Sequence, residues 1–274
     1  MTLSPDPSAL KDAVREYWNA EPCGTREIDP ADRRAFFRDL EQQRYELEPY
    51  LRDFARFERG RGRKLLEIGV GAGTDFVNWV RNGADATGID LTEEGIKLVR
   101  ERLDLEGLNA TLRVADAENL PFEDETFDIV YSYGVLHHSP DTPKAIREVL
   151  RVLKRGGTAL IMIYHVHSWV SWMVWGAHCL ARGRFWKSPR WAVFHYLESP
   201  GTKVYSVAET RALFAGYSAV KIRTQLGHSD LLQMRSGAKY RNALARLAWK
   251  LYPRWLVRLT GNRFGLVMLI EATK

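Results

Sequence analysis

In the stretch from Lys64 to Asp90, KLLEIGVGAGTDFVNWVRNGADATGID, the acids Glu67 and Asp90 flank a turn of three closely spaced glycines. Gly69, Gly71 and Gly73 crowd one turn, and without a Cβ each lets a ligand come close to the backbone. Glu67 precedes the turn by two residues, and Asp90 follows it at the end of the next apolar run. A glycine turn opening a helix admits a bulky ligand at the helix N-terminus, and an acid at the next strand tip accepts hydrogen bonds from ribose hydroxyls. That is the chemistry of a nucleoside site. Farther on, Asp116-Ala117-Glu118 and His137-His138 add acceptors and a group that titrates near neutral pH.

The elements that must position these residues follow from apolar periodicity. Lys64 to Ile68 reads as a buried strand, Thr74 to Arg81 as a helix with Thr74 as its N-cap, and Asp85 to Ile89 as a second strand ending at Asp90. Thr92 caps a helix to about Leu105, and Ala110 to Ala115 is a third strand. Thr126 to Tyr133 is the fourth. A helix capped by Asp141 or Thr142 follows, then a tight turn at Lys154 to Gly157 and a fifth strand, Thr158 to Tyr164. Ser206 caps a helix from Val207 to Phe214. Ser218 to Thr224 is a sixth strand, and Phe264 to Ala272 is the last.

Two details separate the turn from a dinucleotide-binding one. The glycines are spaced G-x-G-x-G and not G-x-G-x-x-G, and Glu67 repels phosphates but suits a cation. E-x-G-x-G-x-G resembles the first motif of the class I S-adenosyl-L-methionine (SAM)-dependent methyltransferases. The later run F-D-x-V…L-H-H…E-V-x-R-V-L-K-x-G-G resembles their small-molecule branch, typified by quinone-biosynthesis and natural-product enzymes. The resemblance covers Lys64 to Tyr164.

The resemblance implies an α/β, Rossmann-like, doubly wound sheet of seven strands with the last antiparallel. It implies SAM as cofactor, held by Glu67, Gly69, Gly71, Gly73, Asp90, Leu91, Asp116, Ala117 and Tyr133. Asp116 and Ala117 match the positions that meet the adenine. His138, and less directly His137, are the candidate bases, with His165 and His167 in reserve. The competing view makes the pair structural. No metal site is expected, since the pair lacks a carboxylate or cysteine at ligand spacing.

The flanks are less explicit. Residues 1–60 read as an N-terminal helical cap, with one helix from Ser8 to Ala20 and another from Pro30 to Phe57. In the resembling family such a segment closes over the cofactor, so Tyr17 and Trp18 are expected in the pocket; the alternative is that they only pack the helix. Residues 61–164 are the core, 165–204 an aromatic-rich insertion, and 205–224 the core again. Residues 225–262 are a basic insertion, and 263–274 hold the last strand. Both insertions leave the ligand-binding edge, and the tryptophans of the first suit an apolar acceptor pocket. The second carries seven cations from Arg235 to Arg258 and no acid between Asp230 and Glu271. It packs on the domain, lies on an anionic membrane, or holds nucleic acid; simple packing is the usual fate of such a helix.

The chain's 274 residues suffice for one elaborated domain, and the net charge of +6 favours anionic partners without naming one. Cys23 and Cys179 cannot build a disulfide scaffold, and no signal peptide is read, so a cytoplasmic location is expected. The charge-free run from Ala159 to Ala181 is read as strand plus insertion, not as a span. The expected activity is methyl transfer to a small, apolar or aromatic acceptor on oxygen, sulfur or carbon. An RNA methyltransferase, a non-catalytic SAM binder and a peripheral membrane protein are the alternatives. A homodimer is left open.

Overall fold

A computed structural model describes residues 6–20, 32–233 and 252–274. Cys23, and the cations and aromatics expected between Arg235 and Leu251, lie outside the described residues. The parallel strands are β1 (Lys64–Ile68), β2 (Asp85–Asp90), β3 (Thr111–Val114), β4 (Phe127–Tyr133) and β5 (Leu153–Tyr164). β6 (Ala219–Gln225) and β7 (Val267–Thr273) complete a seven-stranded sheet of order β3-β2-β1-β4-β5-β7-β6. β7 runs antiparallel to both neighbours, pairing Ile270 with Ile161 and with Ile222.

Both faces of the sheet are covered, which is why its central strands read as continuous apolar runs. One face packs against helices α2 (Arg33–Leu47), α3 (Tyr50–Ala55), α4 (Thr74–Arg81) and α5 (Glu93–Glu106), through Leu51, Trp79 and Val99. The other takes α6 (Thr142–Val152), through Ile146 and Val149, and α9 (Val207–Leu213), which leads into Phe214. Along β1, Leu65 serves the first core and Leu66 the second, as a strand's two-residue period requires.

Two local expectations need correction, and one open choice is resolved. The helix expected from Pro30 to Phe57 is two helices, because Pro49 has no N–H to continue the ladder and holds Glu48 out of helical geometry. Gly73, in the left-handed region, caps α4 instead of Thr74. Asp141 is the cap of α6, accepting from the Lys144 N–H at 2.9 Å.

Helix α1 (Pro7–Ala20) lies across the carboxyl edge of the sheet. The aromatic insertion holds α7 (Trp169–His178) and α8 (Pro189–Tyr196), and a bridge between His165 and Tyr205 closes it where it leaves β5. The described end of the basic insertion holds α10 (Arg254–Leu259). Among the described residues no helix is long and apolar enough to cross a membrane. Asp230 ties these parts together: its buried carboxylate accepts from the N–H groups of Leu266 at 2.8 Å, Gly227 at 3.0 Å and Val170 at 3.4 Å.

Candidate active site

A cavity of about 400 Å³ opens at the carboxyl edge of β1, β2, β4 and β5, within the usual size of a small-molecule site. The glycine turn forms its floor, and the three glycines do different work. A Cβ on Gly69 would lie 2.3 Å from the Val135 side chain, and one on Gly73 would lie 2.9 Å from Val99. At Gly71 a Cβ would meet nothing, but a φ of +52° favours glycine there. Gly69 and Gly71 line the cavity, whereas Gly73 serves the contact between α4 and α5.

Asp90 is fixed from both sides. Its Oδ2 accepts from the Gly71 N–H at 2.9 Å, and its Oδ1 accepts from the Thr92 hydroxyl at 2.6 Å and the Thr92 N–H at 2.9 Å. Leu91, Asp116, Ala117 and Tyr133 also line the cavity, as do Tyr17 and Trp18 from α1. The sequence reading missed Lys11. Its ammonium donates at 2.6 Å to both Asp116 and Glu118, latching α1 over the β3 end of the cavity. Burial pulls on that ammonium, but the two carboxylates raise its pKa above the ordinary lysine value.

Glu67 does not stand where the sequence placed it. The strand period turns it to the face of Leu65, beneath the glycine turn, and it is not among the cavity-lining residues. Burial and the nearby Asp75 push its carboxyl well above the carboxylate range. The charge at this end comes from Arg44 and Glu48, which line the cavity 2.8 Å apart as an ion pair. Glu48 reaches it because Pro49 breaks the helix there. Its Oε1 accepts from the hydroxyls of Tyr50 and Tyr133, each at 3.1 Å.

At the other end His138 lines the cavity and His137 does not. His137 is fully buried, lies 4.0 Å centroid to centroid from the Tyr164 ring, and has no hydrogen-bond partner on either ring nitrogen among the described residues. Burial lowers its pKa well below the usual histidine value, and with no access to the cavity it cannot serve as the base proposed for it. His165 is buried with Nδ1 3.2 Å from the Gly265 carbonyl, and His167 points to solvent; neither lines the cavity.

His138 Nδ1 faces the hydroxyls of Ser199 at 2.8 Å and Thr202 at 3.2 Å. Its Nε2 stands 3.6 Å from Oε2 of Glu198, a cavity-lining residue that sequence reasoning missed. The Tyr164 hydroxyl donates to the same carboxylate, at 3.0 Å to Oε1 and 3.1 Å to Oε2. Glu198 has a φ of +50°, a left-handed conformation that costs a side-chain-bearing residue energy and commonly marks functional loops. Burial lowers His138 to about 3, and desolvation along the cavity wall raises Glu198 to about 7 although 35% of its side chain stays exposed. The group matched to neutral pH is therefore the carboxyl, not the imidazole.

The expectation of no ligand set around the histidines also changes. His137, His138 and Glu198 bring one ligand atom each within 4.8 Å of one another.

The tryptophans of the aromatic insertion do not line the cavity. Trp172 and Trp186 are 47% and 68% exposed. Of the tryptophans of α7, Trp172 is exposed, while Trp169 and Trp175 are partly buried and donate their indole N–H groups to Thr260 and to the Lys187 carbonyl.

Residues 66–161 match the family model described as a methyltransferase domain. A phthiotriol/phenolphthiotriol dimycocerosates methyltransferase from Mycobacterium ulcerans is 42% identical over 101 residues, which is 36% of this chain and 36% of that protein. The alignment thus spans about a third of the curated relative's length. A methyltransferase solved in complex with the Haloferax volcanii Trm112 activator is similar in fold, with a TM-score of 0.60 at 19% identity, covering 95% of this chain and 96% of that one. A phosphoethanolamine N-methyltransferase from Haemonchus contortus, solved with S-adenosylhomocysteine, gives a TM-score of 0.56 at 19% identity, over 85% of this chain and 52% of that one.

Proposed function

We propose that this chain, whose residues 66–161 match a methyltransferase domain, is a class I SAM-dependent enzyme that methylates a small molecule with an apolar body. The observation that carries this reading is one cavity joining Asp90 and Asp116 at one end to His138 and Glu198 at the other. Bound there, SAM supplies an electrophilic methyl group on a positively charged sulfur.

The residues fit that cofactor. Gly71 leaves open space over the turn, and Asp90 Oδ2, which accepts only from the Gly71 N–H, keeps a lone pair for a ribose hydroxyl. Asp116 and Ala117 present an acceptor and backbone to an adenine edge. Leu91 and Tyr133 wall the pocket, Arg44 offers a cation for a carboxylate, and Tyr17 and Trp18 close it from α1.

Glu198 then takes the acceptor's proton on its carboxylate as a hydroxyl oxygen is methylated, with Tyr164 holding that carboxylate in place. Neutral His138 accepts a hydrogen bond at Nε2 and orients the acceptor. The rest of the acceleration comes from alignment in a dry pocket. The Mycobacterium ulcerans relative is named for phthiotriol and phenolphthiotriol dimycocerosates. That supports a hydroxyl-bearing, lipid-like acceptor here.

Calorimetry on the wild type and Asp90→Ala tests the cofactor half, and a screen of phenols, quinones, thiols and lipid alcohols for SAM consumption tests the acceptor half. Asp90→Ala should abolish measurable SAM binding. Unchanged binding would refute the ribose placement, and binding without turnover on any acceptor would leave a SAM-binding protein and not an enzyme.

A further inference from the structure

Eight of the nine large apolar side chains exposed among the described residues fall between Trp172 and Phe264. They concentrate in the two insertions: Trp172, Leu180, Phe185 and Trp186 in the aromatic one, Trp255 and Leu259 in the basic one. A scatter of single exposed apolar groups needs no account, but this clustering does. The two insertions also meet, since Trp169 at the start of α7 donates through Nε1 to the Thr260 hydroxyl just beyond α10 at 3.1 Å.

Charge is as one-sided as hydrophobicity. Residues 165–197 contain no Asp or Glu, and neither do residues 231–270. Arg182, Arg184, Arg258 and Arg263 are exposed, and none pairs with a carboxylate among the described residues. Tryptophan and phenylalanine beside arginine, with acids excluded, is the pattern of a surface that enters a headgroup layer. Both insertions also border the cavity, through Glu198 on one side and Gly227 to Ser229 on the other.

We propose that the exposed aromatic and basic face shared by the two insertions docks on an anionic lipid bilayer, holding the cavity beside the membrane. Charge favours this occupant over a second copy of the chain, which would bring two acid-free, arginine-bearing faces together. The aliphatic members, Leu180 and Leu259, favour it over nucleic acid, where they have no base to stack on.

The test is co-sedimentation of the full chain with phosphatidylcholine vesicles, with and without phosphatidylserine. Two double variants are compared, Phe185→Ser with Trp186→Ser, and Arg182→Gln with Arg184→Gln; none of these residues lines the cavity. The wild type should bind the phosphatidylserine vesicles and bind phosphatidylcholine alone more weakly. The arginine pair should lower partitioning about tenfold or more, at roughly fivefold per charge near the surface. The aromatic pair should lower it on both vesicle types. SAM binding by calorimetry should be unchanged in both, which separates this outcome from a failure of the methyl-transfer reading. Three outcomes overturn the proposal: no sedimentation with phosphatidylserine vesicles, sedimentation indifferent to both variants, or a dimer that the aromatic variant dissociates while lipid binding is absent.

Discussion

Nε2 of His138 stands 3.6 Å from Oε2 of Glu198, joining the end of β4 to the loop after α8. The pair divides its labour by pKa. Burial holds the imidazole near 3 and the carboxyl near 7, so at neutral pH the imidazole is uncharged and the carboxyl is poised to exchange a proton.

With an oxygen acceptor, kcat should therefore rise with pH through about 7, the value at which Glu198 loses its proton. Glu198→Gln should lower kcat about 10²- to 10⁴-fold and remove that limb. His138→Asn should raise KM more than it lowers kcat, and leave the limb in place. A pH–rate profile of the three proteins checks this. An acid limb that survives in Glu198→Gln assigns the base elsewhere.

Dialysis against EDTA should leave turnover unchanged, because the proton transfer proposed at Glu198 uses no cation. Activity lost on dialysis and restored by one divalent cation would turn the cluster of His137, His138 and Glu198 into a metal centre.

Lys11→Ala removes two ion pairs that fasten α1 over the cavity. Partly exposed pairs of this kind contribute at most about 1 kcal/mol each, so SAM release should quicken roughly three- to tenfold with little change in thermal stability. Stopped-flow release of the cofactor reads this directly. A slower release would mean that the lysine competes with the ligand for Asp116.

The buried histidines make the fold acid-sensitive. Their folded pKa values lie below the unfolded value near 6.5, so the unfolded chain binds more protons as pH falls. Their contribution is complete above that value and is lost below it. For His138 alone the loss at pH 5 is about 2 kcal/mol. Urea midpoints at about pH 7.5 and pH 5 should diverge in the wild type and diverge less in His138→Phe, in which His137 keeps its share.

Asp230→Ala leaves three buried backbone N–H groups without their acceptor. Such losses cost about 1–3 kcal/mol per unsatisfied group, less where water enters, and the substitution should lower the melting temperature by several degrees. Limited proteolysis should then cut first in the two insertions. Cleavage confined to the N-terminal region would show that Asp230 does not hold them.

The strands and helices from β1 to β5 were legible because their apolar periods are regular and their glycines and caps sit at the boundaries. The nucleoside half of the cavity was legible for the same reason: Gly69, Gly71, Asp90 and Asp116 all stand at strand ends. Glu67 misled because chemistry at a strand end was inferred without asking which face the side chain takes. Glu198, Glu48 and Lys11 were invisible because each enters the cavity through tertiary return: a long insertion, a proline break and a helix folded back over the sheet. The tryptophans of α7 misled in the opposite sense. A helix rich in aromatics all round does not announce which side it buries.

The antiparallel placement of β7 between β5 and β6 has an evolutionary corollary. Because β7 starts on the edge where β5 and β6 finish, two separate segments can grow from neighbouring points without disturbing the β1–β3 end that carries Asp90 and Asp116. Acceptor preference is thus portable. Both segments could be grafted as cassettes onto a related core, or drift in a lineage, while the glycine turn and Asp90 stay the same.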